Sequence, residues 1–251
     1  MTTETSTSTI RRSALERETA MRLATTEYER YLRLLHEVSP GQWGAPTDCP
    51  DWDVHAMATH VLGMAQMSAS LREQVRQLRA ARKRGGLLVD ALNAVQVDAG
   101  RGLEPAAVVH RLADTVPRAV RGRERMPGLV RRSAMPGQQQ VGDAGEVWTF
   151  GFLTDVVLTR DVWMHRVDTA RATGLTFVAT PDHDGAIVAD LVAEWAERHG
   201  RAYTLRLTGP AGGEWSAGDG GDQLELDAVE FGRLVSGRGS GEGLLARQVA
   251  F

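Results

Sequence analysis

Three side chains in two separated stretches are of the types that hold cations. In GFLTDVVLTRDVWMHRVD, residues 151–168, Asp161 and His165 stand four positions apart. A helix turns such a pair only about 40° from each other, so both lie on one face, one turn apart. The stripe continues through Thr154, Leu158 and Asp168. A carboxylate and an imidazole stacked this way are half of a metal site, and a labile ion needs a third donor. The best-placed donor is His60. In the helical segment expected over residues 52–84, Met57, His60, Met64, Met67 and Leu71 follow one buried stripe. His55 falls about 140° from His60 around the axis, so the two do not share an ion and His60 faces inward.

Two imidazoles and a carboxylate at three corners leave one corner for water, a thiolate or a substrate atom, as catalytic zinc sites do. A thiol there loses its proton, because the cation stabilises the anion far more than the neutral group. Plainer readings stand beside this one. His60 alone fits a hydrogen-bonded core histidine, and Asp161 with His165 fits an ordinary i,i+4 contact. Asp168 either orients a ligand histidine from behind, caps the helix, or pairs with Arg166 or Arg171. Cys49 reads as a packed residue of a tryptophan-rich loop more readily than as a nucleophile.

The elements that would position these groups are helical. A first helix is expected over residues 11–38, with Leu15, Met21, Leu23, Tyr28, Tyr31, Leu32 and Leu35 as its apolar stripe. Ser39-Pro40-Gly41 stops it. The loop QWGAPTDCPDWDV follows, with Asp51 expected as N-cap of the second helix. Gly85-Gly86 breaks that helix. Further helices are expected over residues 87–98 and 105–120, with Pro117 kinking or ending the latter. An arginine-rich stretch holding Arg121, Arg123, Arg125, Arg131 and Arg132 then leads through a polar loop, MPGQQQVGDAGE, into the helix of Asp161. Four long helices with a lengthy connection before the last make a four-helix bundle. After Gly174 the pattern changes. A helix from Pro181 to His199 precedes strands at residues 203–208, 214–217 and 223–226, a short helix at 227–235 and a last strand at 244–249. The fold class is thus an α bundle plus a small α+β domain: a disordered tail over residues 1–10, the bundle over 11–175, the C-terminal domain over 176–251.

Composition narrows the partners. A chain of 251 residues with 42% hydrophobic content buries a substantial core. A formal charge of −3 gives no general reason to expect nucleic acid. The single cysteine excludes an intrachain disulfide and fits a cytoplasmic location. No apolar run is long enough to cross a membrane, and the N-terminus lacks a signal-peptide core.

The run WGAPTDCPDWDVHAMATHVLGM, the helix TRDVWMHRVDTARATG and the tail YTLRLTGPAGGEW…ELDAVEFGRLVSGR together resemble the actinobacterial mycothiol-dependent maleylpyruvate isomerase family. The resemblance covers nearly the whole chain and implies a DinB-like metal-binding bundle with a sterol-carrier-like C-terminal domain. It implies a divalent metal, zinc first, held by His60, Asp161 and His165. The family pattern there is an acid-x-x-x-His pair; the characterised isomerase has glutamate where Asp161 stands, and aspartate is one methylene shorter. It further implies mycothiol as thiol cosubstrate and a small-molecule electrophile, in a monomer or small homo-oligomer. In the implied reaction a thiolate adds to the cis double bond of a maleyl group, the new single bond rotates, and expulsion of the thiol leaves the trans product; related members transfer the thiol to an electrophile. Arg238, in the SGR near the C-terminus, is a candidate for holding a substrate carboxylate. The alternatives are a metal-dependent hydrolase or lyase using bound water, a non-catalytic small-molecule binding protein, and a DNA-contacting regulator using the basic stretches; the acidic net charge argues against the regulator.

Overall fold

The computed structural model of the chain describes residues 10–251. Of the tail expected over residues 1–10, all but Ile10 lies outside the described residues, and Ile10 begins a strand. In chain order the elements open with β1 (Ile10–Arg11), α1 (Arg17–Glu37), α2 (Val54–Ala69), α3 (Leu71–Arg84), α4 (Leu88–Gly100), α5 (Pro105–Glu124) and α6 (Gly128–Arg132). There follow β2 (Gln139–Val141), β3 (Ala144–Trp148), α7 (Phe150–Phe152), a π-helical turn (Leu153–Val157) and α8 (Leu158–Thr173). A second π-helical turn (Pro181–Gly185) opens α9 (Ala186–His199), and β4 (Tyr203–Thr208), β5 (Gly213–Ala217), β6 (Asp222–Asp227) and α10 (Ala228–Val235) complete the set. Among the described residues no helix is long and apolar enough to cross a membrane.

The chain divides into two compact units. One comprises Arg17–Met126 and Asp161–Val178. Its core draws Tyr28, Tyr31 and Leu35 from α1, Val54, Ala58, Val61 and Leu62 from α2, Val108, Leu112 and Val116 from α5, and Val162 from α8. These are the apolar stripes of four helices, so the bundle follows from their periodicity. The helices approach closely where side chains are absent: a Cβ on Gly122 of α5 would stand 2.1 Å from the Ser68 carbonyl of α2. Pro117 sits inside α5 without ending it. The helix expected over residues 52–84 is two helices. Ser70 is extended (φ −152°, ψ 121°), and its hydroxyl accepts from the Glu73 N–H at 3.4 Å. A serine offers the backbone this local alternative to a continuing helix. The break turns α3 back onto α2, where the Gln77 amide donates to the Gly63 carbonyl at 2.9 Å. The start of α2 also differs from expectation: Asp53, not Asp51, is the N-cap, accepting from the Ala56 N–H at 2.7 Å.

Among the described residues the other unit comprises residues 10–16, Pro127–Arg160 and Ala179–Phe251, so contacts group residues 127–160 with the C-terminal segment, unlike the division expected at residue 175. It holds two small sheets. In the first, β3 pairs antiparallel with β2 and parallel with β1. The segment expected as a polar loop thus contains a hairpin turning at Gly142 (φ +57°), a conformation that favours glycine. Strands this short and polar carry no alternation to read. In the second sheet β4 is central, antiparallel to β5 and parallel to β6, with alternating buried and exposed residues along its length. The last expected strand is absent: residues 244–249 hold a 3-10 turn (Gly243–Ala246) and an irregular end anchored by the Val249 N–H on the Val235 carbonyl at 2.9 Å. The fully buried Trp195 of α9 donates its Nε1–H to the Leu244 carbonyl at 2.9 Å.

Candidate metal centre

The helical path into α8 starts at Thr149, whose hydroxyl accepts from the Phe152 N–H at 3.1 Å. The π-helical turn that follows takes in one more residue than an α turn, which re-aims every later side chain; such turns recur beside functional sites. α8 then presents Asp161 and His165 on one face, and α2 presents His60. The His60 Nε2 lies 3.5 Å from Asp161 Oδ2, and the His165 Nε2 lies 3.3 Å from Asp161 Oδ1. The two imidazole centroids are 5.2 Å apart with their planes at 87°. One ligand atom from each residue can be chosen so that all three lie within 4.8 Å of one another, a spacing that one cation can bridge.

The two imidazoles are deeply set and Asp161 is half-buried, yet the group is poorly satisfied. His60 and His165 are each 3% exposed. The His165 Nε2 and the Asp161 Oδ2 are buried with no well-directed hydrogen bond. Buried polar atoms are almost always paired, so unpaired donor atoms converging on one point suit an ion. The electrostatics agree. Burial pushes the His60 pKa down, against the pull of Asp161. Burial also opposes charge on His165, but the Asp161 carboxylate outweighs it and holds that imidazole well above its ordinary value. Asp161 resists burial in turn, and the two imidazoles keep it far below the usual carboxylate range. Positive charge beside the Asp161 carboxylate is thus favoured, as a bound cation would be.

The surroundings were only partly foreseen. Trp52 covers both imidazoles, its ring centroid 4.8 Å from that of His60 and 5.9 Å from that of His165. Asp168 is fully buried, with Oδ2 3.5 Å from the His165 Nδ1 and 3.8 Å from the Cys49 Sγ. The two arginines considered as its partners are engaged elsewhere: Arg166 donates to Glu27 at 2.6 Å and Arg171 to Asp48 at 3.1 Å. Burial pushes the phenols of Tyr28 and Tyr31 up; the charge of Asp161 adds to this at Tyr28, against Arg123, and those of Asp168 and Asp161 add to it at Tyr31. Sequence periodicity marked these tyrosines only as core.

Other candidates have other places. His55 contacts the Leu103 carbonyl at 2.8 Å and lines a cavity of about 390 Å³ with Asp51, Asp53 and Arg101. His110 is exposed beside Asp114, and His199 accepts from the Arg201 N–H at the end of α9. His183 is buried. In the arginine-rich stretch Arg121, Arg125 and Arg132 face solvent, Arg123 is buried beside Tyr28, and Arg131 pairs with Asp155. Arg238 belongs to the unit that contains the sheets, half-buried after α10, its N–H donating to the Arg233 carbonyl at 3.0 Å.

Comparison with known proteins gives concordant results. Residues 24–170 match the family described as mycothiol maleylpyruvate isomerase N-terminal domain. Two solved structures, of the mycothiol-dependent maleylpyruvate isomerase and of a histidine-to-alanine mutant of it, align with TM-score 0.57 and 21% identity, over 90% of this chain and 91% of theirs. At that identity the likeness is one of fold. No curated protein matches the chain by sequence.

Proposed function

The chain belongs to the mycothiol maleylpyruvate isomerase family, and from that membership we propose that it is an enzyme using mycothiol for cis–trans isomerisation of a maleyl-type substrate or for transfer of the sulfur to a small electrophile. The observation that carries the reading is the trio His60, Asp161 and His165, whose ligand atoms lie close together while the His165 Nε2 and the Asp161 Oδ2 are buried without a well-directed hydrogen bond. A divalent metal held by these residues, zinc being well suited to two imidazoles and a carboxylate, supplies Lewis acidity that favours the thiolate form of a neighbouring thiol.

The chain's own groups prepare for this. Asp161 brings the negative charge that offsets a cation in a buried place. His165 gives up the proton that Asp161 now favours, freeing Nε2. Asp168 stands at the opposite ring nitrogen, placed to accept from Nδ1–H and so to keep Nε2 unprotonated. Trp52 lies over both rings and restricts water. Cys49 supplies no nucleophile in this account, because the reactive sulfur is the cosubstrate's. Titration of mycothiol into cobalt-substituted protein tests the reading. A sulfur-to-metal charge-transfer band that saturates with thiol is expected; cobalt binding without such a band at saturating thiol would favour water as the nucleophile and overturn the thiol reading.

A further inference from the structure

The His60 ring must present Nε2 as a lone pair to serve in the trio, which requires its proton on Nδ1. Nδ1 is buried and has no well-formed hydrogen bond. A second buried polar atom nearby is in the same state: Oε1 of Gln96, on α4, a residue only 4% exposed. Burial acts most strongly on the His60 ring and Asp161 next; the Gln96 side chain acts on it as well, more weakly than Asp161, and favours the protonated ring. It lies in a notch on α2, one turn beyond His60. A Cβ on Gly63 would stand 2.5 Å from the Gln96 Cγ, so glycine is what admits it.

The polarity of the Gln96 amide is set from behind. The Gly63 carbonyl only accepts, and it receives the Nε2–H of Gln77 at 2.9 Å. The Gln77 Oε1 must then accept, and it receives the Nε2–H of Gln96 at 2.9 Å. That leaves the Gln96 Oε1 as an acceptor, and the His60 ring, on which the Gln96 side chain acts, can satisfy it only by donating. Gln77 and Gln96 are both buried, at 1% and 4% exposure, so water offers neither amide an easy reversal. From this chain we propose that Gln96, oriented by Gln77, is a positioning residue that fixes His60 as the Nδ1–H tautomer and so aims the Nε2 lone pair at the trio. The proposal deepens the metal reading above and rests on it, but the tautomer is measurable without any metal.

The experiment combines nitrogen-15 NMR of the histidines in metal-free protein with cobalt affinity measured by chelator competition, for wild type and three variants. Wild-type His60 is expected as the Nδ1–H tautomer. Gln96→Met, similar in size but without an acceptor, should mix the tautomers and weaken cobalt about 10- to 100-fold, the range for removing a histidine's outer partner. Gln77→Met should weaken cobalt about 3- to 10-fold although Gln77 donates to Gly63 and not to the ring, because the Gln96 amide is then free to turn. Gln96→Glu keeps an acceptor and should stay within about threefold of wild type, which separates lost polarity from lost packing. A wild-type His60 carrying its proton on Nε2, or Gln96→Met with unchanged tautomer and cobalt affinity, overturns the proposal. A protein with the expected tautomers that binds no cobalt leaves this inference standing and sinks the metal reading instead.

Discussion

Arg160 and Asp161 are neighbours on α8, yet their surroundings differ in kind. Arg160 is fully met: Nε and Nη2 donate to Asp190 Oδ2 at 3.1 and 2.7 Å, and Nη1 donates to Glu194 Oε2 at 2.5 Å and to the Ala250 carbonyl at 3.1 Å. Burial works against its charge, but Glu194 and Asp190 more than compensate and raise its pKa. Asp161 instead faces two imidazoles at 3.5 and 3.3 Å in poorly directed contacts. A buried charge with every donor satisfied is a structural tie, while a buried cluster with donor atoms left over is shaped for something that arrives later. In the sequence they are simply two adjacent charged residues; the inventory of satisfied atoms tells them apart.

The contrast can be broken most forcefully at the first residue. Arg160→Met takes a guanidinium from Asp190 and from Glu194, which keeps Arg198, and should cost about 3–5 kcal/mol in urea unfolding while leaving metal affinity unchanged. Asp161→Asn should do the reverse, costing metal-free protein about 1 kcal/mol or less while abolishing metal binding. Equal stability losses at the two positions would remove the distinction. The pH dependence sharpens it further. Because the His165 pKa is raised, metal binding must displace a proton, so apparent affinity should climb as pH rises from 6 to 8 in a competition assay. Without metal, the stability from that raised pKa is fully present below the unfolded value of about 6.5 and is lost as pH rises through the folded value. The melting temperature of chelated protein should therefore fall with pH in that window, and Asp161→Asn should flatten the slope. Smaller effects are expected behind the rings. Asp168→Asn should weaken metal about tenfold, whereas Cys49→Ser should leave metal content unaltered and change stability by less than about 0.5 kcal/mol.

Helical periodicity was enough to separate His60 from His55, because 3.6-residue spacing fixes which face a residue takes regardless of what packs there. It also outlined the bundle helices and the β4 strand, whose buried stripes are regular. It failed where local hydrogen bonding decides. Ser70 breaks a segment that is helical in pattern on both sides, and the hairpin of β2 and β3 is made of residues with no apolar alternation. The Trp52 cover and the Gln77–Gln96 chain were illegible for another reason. Each depends on which side chains from separate segments meet, and a glutamine on an apolar stripe looks like any surface glutamine until its neighbours are known. The family resemblance supplied the chemistry, and the geometry supplied the orientation of the groups.

The most direct test is elemental analysis of protein purified without chelator, for wild type, His60→Ala and His165→Ala. The account predicts about one equivalent of divalent metal in wild type and less than about a tenth of that in either variant, since two remaining donors do not retain a labile ion. A full equivalent persisting in both variants, or none in wild type even after incubation with zinc, would contradict it.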